Sequence, residues 1–237
     1  MIGLADKPGR AHAPRARTVR SFVTRAGRIT VGQERALAKL WPHFGVEFAA
    51  QPLNLDVLFG RTARRVMEIG FGNGEHLSAL ARAHPERDYL GVEVHRPGVG
   101  HLLLALEAHA LSNVRIVCHD VVEVLEQQIA PRALDEVLIL FPDPWPKKRH
   151  HKRRLIQQPF VALLCERLKA DGVLRLTTDW WPYAEQMLEV LDAEPRLVNI
   201  ATNERFLPRP AERIRTRFEM RGERLGHGVW DLAYRVK

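Results

Sequence analysis

The sequence contains no long hydrophobic run, and this absence bears on membrane insertion. A membrane-spanning helix needs roughly 18 or more consecutive apolar residues. The longest candidate, Leu102 to Leu111, is already interrupted by Glu107 and His109. We therefore expect a globular protein with no membrane partner.

Cysteine is scarce, which excludes a disulfide framework and a cysteine-rich zinc site. The two cysteines, Cys118 and Cys165, are far apart and each lies in an apolar segment. Such usage is typical of a reducing compartment, and we expect the cytoplasm. The His150-His151 pair lacks both the helical i, i+4 spacing of a metal motif and a nearby third ligand, so we predict no metal.

Acidic side chains are nearly absent from two segments of the chain. Residues 1–30 hold seven basic side chains and one acidic one, and residues 147–154 hold six basic side chains and no acid. The net charge of the whole chain is +8, so the remaining residues sum to about −4. A slightly acidic body with two basic segments suggests a polyanionic partner, although a charge run can also be a solvated surface.

The N-terminal segment lacks the apolar stretch of a secretory signal. Its Arg-rich, acid-poor composition is compatible with an organellar transit peptide as well as with a basic arm. We predict a disordered cytoplasmic arm over residues 1–34 and a single folded domain over residues 35–237.

From residue 64 onward, β-branched runs alternate with segments of helical period. The pattern predicts five strands, each followed by a helix. Such alternation is typical of an α/β fold with a doubly wound, mostly parallel sheet. Two later segments, 197–201 and 229–236, are predicted to pair as an antiparallel edge. The predicted strands are 65–69, 89–94, 114–118, 137–141 and 173–177, and the predicted helices are 76–83, 97–111, 121–128, 158–169 and 182–191.

A glycine-rich turn follows the first predicted strand, in the run Glu68-Ile-Gly70-Phe-Gly72-Asn-Gly74. Glu75 occupies the place of the third glycine of the dinucleotide fingerprint, and no Gly-Lys-Ser/Thr follows, so phosphate binding is not indicated. A carboxylate at the strand end opposes a pyrophosphate but attracts a cation. The turn therefore favours S-adenosylmethionine, which carries a sulfonium and an ammonium group.

Two further acids lie at the end of the second predicted strand and after the third. Glu93 lies where a carboxylate can accept hydrogen bonds from both ribose hydroxyls, and Asp120 lies where one can accept from an adenine amino group. Each acid alone could equally be a helix cap or a loop residue. Together with Glu68 they predict an adenosine site at three successive strand ends.

The fourth predicted strand runs into a proline-rich turn and then into the second basic segment. Three prolines at alternate positions stiffen the backbone around Asp143 and Trp145. A carboxylate and an aromatic face beside a cationic ligand can hold a flipped purine, and the cations that follow would meet phosphates. A nuclear localisation run is the simpler alternative for the cations alone.

Five blocks of the sequence, spanning about residues 35–236, closely resemble the bacterial tRNA (guanine-N7-)-methyltransferases. The resemblance implies a class I, Rossmann-like, S-adenosylmethionine-dependent methyltransferase fold. It also implies methyl transfer to N7 of the variable-loop guanine in tRNA, by a monomer or weak homodimer. The blocks are E-I-G-F-G-N-G, G-V-E-V-H, P-D-P-W-P-K-K-R-H-H-K-R-R, T-D-W-W-P-Y-A and T-R-F-E-x-R-G-x-x-L-G-H-G-V-W-D-L.

The resemblance also implies a role for individual residues. Asp143 is implied as the catalytic residue. Trp181 departs from the family pattern, in which many members carry an acid. The implied donor-binding residues are Glu68, Gly70, Gly72, Gly74, Glu93, Asp120 and Asp143; the implied substrate-binding residues are Lys147, Asp179, Thr216, Arg217, Phe218 and Glu219; the implied RNA-contacting residues are Arg149, His150, His151, Lys152, Arg153 and Arg154.

Three functions remain in competition at this point. They are an RNA base methyltransferase, a nicotinamide dehydrogenase of the same architecture, and a noncatalytic RNA-binding protein that retains a nucleoside pocket. The missing third glycine weighs against the dehydrogenase, and the acidic strand ends beside Asp143 weigh against the noncatalytic protein.

Overall fold

The structure is a computed structural model that describes residues 20, 22, 27–201, 204–211, 213, 219 and 228–237. The predicted arm over residues 1–34 lies mostly outside these residues. Its last four residues, 31–34, are helical, so the predicted boundary at residue 34 falls inside a helix. Within the described ranges, no helix combines the length and the apolarity needed to cross a bilayer.

Seven α-helices, eight strands and one 3-10 helix succeed one another along the described residues. The helices are α1 Val31–Phe44, α2 Leu55–Phe59, α3 Glu75–Ala83, α4 Arg96–Ala108, α5 Val121–Gln127, α6 Gln158–Arg167 and α7 Trp181–Asp192, and the 3-10 helix is Lys148–Arg153. The strands are β1 Gly45–Val46, β2 Arg64–Ile69, β3 Arg87–Val92, β4 Val114–Val117, β5 Leu134–Leu140, β6 Leu168–Thr178, β7 Leu197–Asn199 and β8 Trp230–Val236.

The strands form one sheet in the order β1-β4-β3-β2-β5-β6-β8-β7. Strands β1 to β6 pair in parallel, and β8 pairs antiparallel with both β6 and β7. The five predicted parallel strands and the predicted antiparallel edge are therefore confirmed. The chain order reverses between β2 and β5, which places the ligand crevice of such a sheet outside their carboxyl ends.

Helices cover both faces of the sheet. Successive side chains of a strand point to opposite faces, and the central strands are apolar on both, so each face needs a covering layer. Val66 of β2 packs with α1, α3 and α4 in one hydrophobic cluster, whereas the next residue, Met67, packs with α5, α6 and α7 in the other. This doubly wound arrangement confirms the predicted fold class.

Several elements differ from the sequence predictions. Helix α1 was not predicted, and it begins at Val31 because Thr30 and Gln33 form a capping box there. Helix α6 ends at Arg167 and the next residue, Leu168, already pairs with Leu134 of β5, so pairing with β5 extends the strand beyond its local apolar pattern.

Candidate active site at the carboxyl ends of the parallel strands

The turn after β2 is shaped by three glycines in the left-handed region. Gly70, Gly72 and Gly74 have φ of 70°, 58° and 74°. Residues with a Cβ atom adopt these values only with strain. A Cβ atom added to Gly70 or Gly72 would meet no atom within 4 Å, whereas one on Gly74 would lie 2.7 Å from Leu102. The first two glycines therefore border open space, and the third fits against α4.

Glu93, directly after β3, holds the glycine turn in place. Its Oε2 accepts a hydrogen bond from the backbone N–H of Gly72 at 2.9 Å, and its Oε1 accepts from Val94 and His95 at 2.7 and 3.0 Å. A carboxylate offers about four acceptor positions, so three of them are used within the protein. The predicted contact of Glu93 with ribose stays a prediction.

Glu68, in β2, is buried together with a histidine from the following helix. Its Oε2 lies 2.9 Å from Nδ1 of His76, and both side chains are almost completely buried. His76 belongs to α3, so the pair ties the strand end to the helix that follows the glycine turn. The sequence pattern identified Glu68 but missed His76, which sits on the helix as an ordinary polar residue.

Asp120, which follows β4, caps the N-terminus of α5. Its Oδ1 accepts from the backbone N–H of Val122 at 3.0 Å, and its side chain is buried. The neighbouring His119 stacks on Phe48, with ring centroids 3.8 Å apart and an interplanar angle of 11°. Phe48 follows β1, a strand that the sequence did not predict.

A cavity of about 530 Å³ lies beside this group of strand ends. Cys118 and Arg96, which follow β4 and begin α4, form part of its wall together with Trp41 of α1. Burial raises the pKa of Cys118, an effect that the guanidinium of Arg96 opposes, so the thiol is neutral at pH 7. In the ranges that the structure describes, no three His, Cys, Asp or Glu side chains form a group that could hold a metal ion.

Asp143 lies on an exposed turn after β5, between two residues with strained backbones. Phe141 and Trp145 have φ of 50° and 43°, although neither is glycine. Non-glycine residues in this region cost roughly 1–3 kcal/mol each and persist where the surrounding structure fixes them. The backbone N–H of Phe141 bonds to the carbonyl of Thr177 on β6 at 2.8 Å, which anchors the start of the turn.

The basic segment Lys147–Arg154 folds mainly as the 3-10 helix. Lys147, Lys148, Arg149 and Lys152 are exposed, and His150, His151 and Arg153 are half-buried. Arg153 lies over the ring of Trp145, 5.2 Å from its centroid, and His150 meets the same ring edge-on at 5.8 Å. Burial lowers the pKa of His150, and the positive charges of Arg149 and Arg153 lower it further.

Arg154 differs from the other cations of the segment because its side chain points into the protein. It is 3% exposed, its Nε donates to the carbonyl of Pro144 at 2.8 Å, and its Nη1 donates to Oε1 of Gln186 at 2.8 Å. Its guanidinium also lies 4.8 Å from the ring centroid of Tyr183, and burial lowers the pKa of the group. This burial argues against the RNA contact predicted for Arg154.

Asp179 is half-buried and follows β6, next to the strand that ends at the Asp143 turn. Three other predicted substrate residues, Thr216, Arg217 and Phe218, lie outside the described residues. The fourth, Glu219, is described and takes part in a buried ion-pair network.

Arg213 is the centre of that network. Its Nη1 and Nη2 donate to the two carboxylate oxygens of Glu219 at 2.7 and 2.9 Å, and Nη2 also donates to Asp231 at 3.0 Å. Asp231 in turn accepts from the hydroxyl of Thr177 at 2.7 Å. Glu219 is thus linked through Arg213 to the end of β6, a linkage between distant segments that no local pattern could indicate.

Comparison with known proteins identifies the fold and the family. A family model described as "Putative methyltransferase" matches residues 62–232. The 16S rRNA methyltransferase KamB superposes with a TM-score of 0.53 at 15% identity, covering 77% of this chain and 92% of that chain. The aminoglycoside resistance methyltransferase NpmB1 superposes with a TM-score of 0.51 at 14% identity over the same shares, and both likenesses concern the fold.

Sequence relatives are much closer. A tRNA (guanine-N(7)-)-methyltransferase of Leifsonia xyli is 59% identical over 91% of this chain and 95% of its own length. Relatives with the same name from Alkalilimnicola ehrlichii and Xanthomonas oryzae are 57% and 56% identical, over 93% and 98% of this chain and 94% and 91% of their own lengths. At this identity over nearly the whole chain, the protein belongs to the bacterial tRNA (guanine-N7-)-methyltransferase family.

Proposed function

We propose that the protein transfers a methyl group from S-adenosylmethionine to N7 of a guanine in tRNA. The observation that carries this proposal is that the glycine turn and the Asp143 turn lie side by side where the strand order reverses. The glycine turn follows β2, the Asp143 turn and the 3-10 helix follow β5, and β2 and β5 are parallel neighbours. The names of the sequence relatives support the same substrate and reaction.

The residues after β2, β3 and β4 are suited to hold the methyl donor. Gly70 and Gly72 leave the space beside the turn open, where a Cβ atom would intrude on a ligand. Glu93 and Asp120 place carboxylates at the next two strand ends, as an adenosine requires. S-adenosylmethionine would supply a methyl group on a sulfonium sulfur. The N7 lone pair would form a bond to the methyl carbon as the carbon–sulfur bond breaks, which leaves S-adenosylhomocysteine as a neutral thioether and the positive charge on the purine.

The protein's own contribution is alignment and charge stabilisation. Guanine N7 carries a lone pair and no proton at neutral pH, so the protein needs no general base at that atom. The proposed role of Asp143 is to accept hydrogen bonds from the N1 and N2 protons of the guanine and to stabilise the positive charge that develops on the ring. Asp179 and Lys147 border the same turn and are the proposed further contacts to the substrate.

The exposed cations of the basic segment are the proposed contacts to tRNA phosphates. Lys148, Arg149 and Lys152 follow directly after the Asp143 turn, so phosphates bound there would place a neighbouring nucleotide at Asp143. We propose a cytoplasmic enzyme, monomeric or weakly dimeric. Burial raises the pKa of Cys165 to about 11, so this thiol is neutral and unreactive at pH 7.

Methylation of an unmodified tRNA transcript tests this proposal. The full-length protein and S-adenosylmethionine should produce 7-methylguanine at one variable-loop position, detected by mapping the modified nucleotide. The assay contains EDTA, because the proposal requires no metal. A transcript with 7-deazaguanine at that position offers no N7 and should accept no methyl group.

Two controls separate this function from its alternatives. Asp143→Asn should bind tRNA but methylate it poorly, which a noncatalytic RNA-binding protein could not show. Calorimetry should detect binding of S-adenosylmethionine and none of NAD. Unchanged methyl incorporation into the 7-deazaguanine transcript would contradict transfer to N7.

A further inference from the structure

Trp181, the first residue of α7, is 40% exposed. Over the described part of the chain, the other large apolar side chains with comparable or greater exposure are aliphatic, namely Val31, Val57, Leu104 and Val198. An indole presents a large, rigid apolar surface, and Trp is enriched at binding surfaces. The exposed part of Trp181 is therefore available to a ligand.

Two aromatic neighbours hold the Trp181 ring without stacking on it. The centroid of Trp230 lies 5.2 Å away at an interplanar angle of 58°, and that of Phe206 lies 5.7 Å away at 56°. We call Trp181, Phe206 and Trp230 the aromatic patch. The tilted contacts orient the indole and leave part of it accessible, as in a platform for a planar ligand.

The aromatic patch adjoins the proposed guanine site. Trp181 lies two residues after Asp179, and Arg154 bridges the two regions because it donates to both the carbonyl of Pro144 and, at 3.4 Å, the carbonyl of Pro182. These prolines directly follow Asp143 and Trp181. One buried guanidinium therefore joins the Asp143 turn to the first turn of α7.

In the order of the strands, Trp181 lies one strand farther from the glycine turn than Asp143 does. The glycine turn follows β2, Asp143 follows its neighbour β5, and Trp181 follows β6, one strand farther along the sheet. Adjacent strands are spaced by about 4.8 Å. A base on Trp181 would consequently lie beside the reacting guanine and not in its place.

The surroundings of the aromatic patch carry charges of both signs. Arg205 and Arg209, on either side of Phe206 in the sequence, are exposed. The nearby acids are Glu204, Asp179 and Glu185, the last four residues after Trp181 on α7. The exposed cations of the basic segment lie across the Asp143 turn. Trp145 offers no equivalent platform, because Arg153 and His150 already contact its ring.

We propose that Trp181 stacks on the base of a nucleotide that neighbours the target guanine in tRNA. The inference rests on the proposed function, since it assumes a tRNA substrate. Bases of irregular RNA regions commonly stack on aromatic side chains, and this contact tolerates different bases because every base has a π face. The stack would hold the strand in an unstacked form while the target guanine enters the site.

Three substitutions distinguish stacking from simple packing. Trp181→Ala removes the ring, Trp181→Leu retains apolar volume without a π face, and Trp181→Phe restores a ring. Loss of a base–aromatic stack corresponds to about a 5- to 150-fold weaker binding of unmodified tRNA. We expect this loss in the Ala and Leu variants, partial recovery in the Phe variant, and no change in donor affinity.

Val198→Ala is the matched control, because Val198 is 38% exposed and lies on the edge strand β7. It should bind tRNA as the wild type does. Thermal unfolding of each variant identifies any loss of folding, and the Leu and Phe variants decide the question even if the Ala variant is unstable. Wild-type tRNA binding by the Leu variant would overturn the stacking proposal.

Abasic tRNAs test which nucleotide is involved. An abasic site next to the target guanine should weaken wild-type binding but should not weaken binding by Trp181→Leu further, since the same contact is already lost. Full additivity of the two changes at every neighbouring position would overturn the inference. If the wild type does not methylate tRNA at all, the proposed function fails instead, so the two failures are distinguishable.

Discussion

Arg154 donates a hydrogen bond from Nε to the carbonyl oxygen of Pro144 at 2.8 Å, from a guanidinium that is almost completely buried. Pro144 directly follows Asp143, so a cation of the basic segment fixes the turn that carries the proposed catalytic carboxylate. The same guanidinium binds Gln186 and lies over Tyr183, both on α7. Arg154 is thus a positioning residue between the Asp143 turn and α7.

Arg154→Met should destabilise the protein, because methionine fills the apolar part of the site but leaves the carbonyl of Pro144 and the amide of Gln186 without their donor. The expected loss is about 1.5–3 kcal/mol, the usual value for a hydrogen bond to a charged group. Urea unfolding measures it. Arg149→Met, at an exposed position of the same segment, should stay within about 0.5 kcal/mol of the wild type. Equal stabilities of the two variants would contradict the positioning role.

The basic segment also shows where sequence-based prediction ends. Six cations in eight positions look equivalent in sequence, and the inward direction of Arg154 depends on how β5, the 3-10 helix and α7 meet in space. Strands β2 to β8 were predictable because their apolar runs are local patterns, whereas the two-residue strand β1 was not predicted. Helix α1 was not predicted, because it begins at a capping box before a weakly apolar segment. The Arg213–Glu219 pair was not predicted, because it depends on tertiary contact.

For the acids at the strand ends, the sequence predicted the positions but not the hydrogen-bond partners. Their positions at or just after the ends of β2, β3 and β4 follow from the alternation of strands and helices, and the structure places them there. Their partners within the protein do not follow from sequence: Glu93 binds the N–H of Gly72, and Glu68 pairs with His76. A sequence shows which residues reach a strand end, but not which of their acceptor positions the fold already uses.

Glu93→Ala should weaken binding of S-adenosylmethionine by about 1–3 kcal/mol, as expected for loss of hydrogen bonds to a charged group. The loss has two sources, the proposed ribose contact and the support of the glycine turn through Gly72. Affinity for tRNA should barely change. Calorimetry with each ligand measures both effects, and Glu86→Ala, which removes an exposed carboxylate before β3, should leave donor affinity intact. Unchanged donor affinity in Glu93→Ala would refute the assignment.

Replacing Lys148, Arg149 and Lys152 with Ala should weaken binding to all tRNAs alike, since phosphate contacts carry no sequence information. Each lost phosphate contact in an irregular region lowers the slope of log K against log salt by about 0.7, so the triple variant should lose up to about 2 in slope. Filter binding across a salt series measures this. Removing the exposed Lys39, Arg82 and Lys237 gives the same change in net charge. A basic-segment variant that behaves like this control would show that the segment is merely solvated.

His150 should make tRNA binding depend on pH. Its pKa is lowered by burial and then by Arg149 and Arg153, so the imidazole is neutral at pH 7 and gains its charge only as the pH falls through that lowered pKa. His150 lies within the segment proposed to bind phosphates, so affinity for tRNA should rise as the pH falls below the ordinary imidazole range, and full protonation should increase the salt slope by about 0.7. His150→Gln should lack this component. Identical pH dependence of the two proteins would rule it out.

Asp143→Asn should lower kcat by about 100- to 1000-fold, the usual cost of removing an electrostatic group from a transition state. Asparagine is nearly isosteric, so affinities for tRNA and for the donor should change much less than kcat. At saturating tRNA, the wild-type kcat should be flat between pH 6 and about 9, because N7 has no proton to lose and the carboxylate acts through its charge and not as a base. Single-turnover methylation across this range measures both effects. A rate that rises tenfold per pH unit through neutrality, and loses this rise in Asp143→Asn, would instead identify Asp143 as a general base.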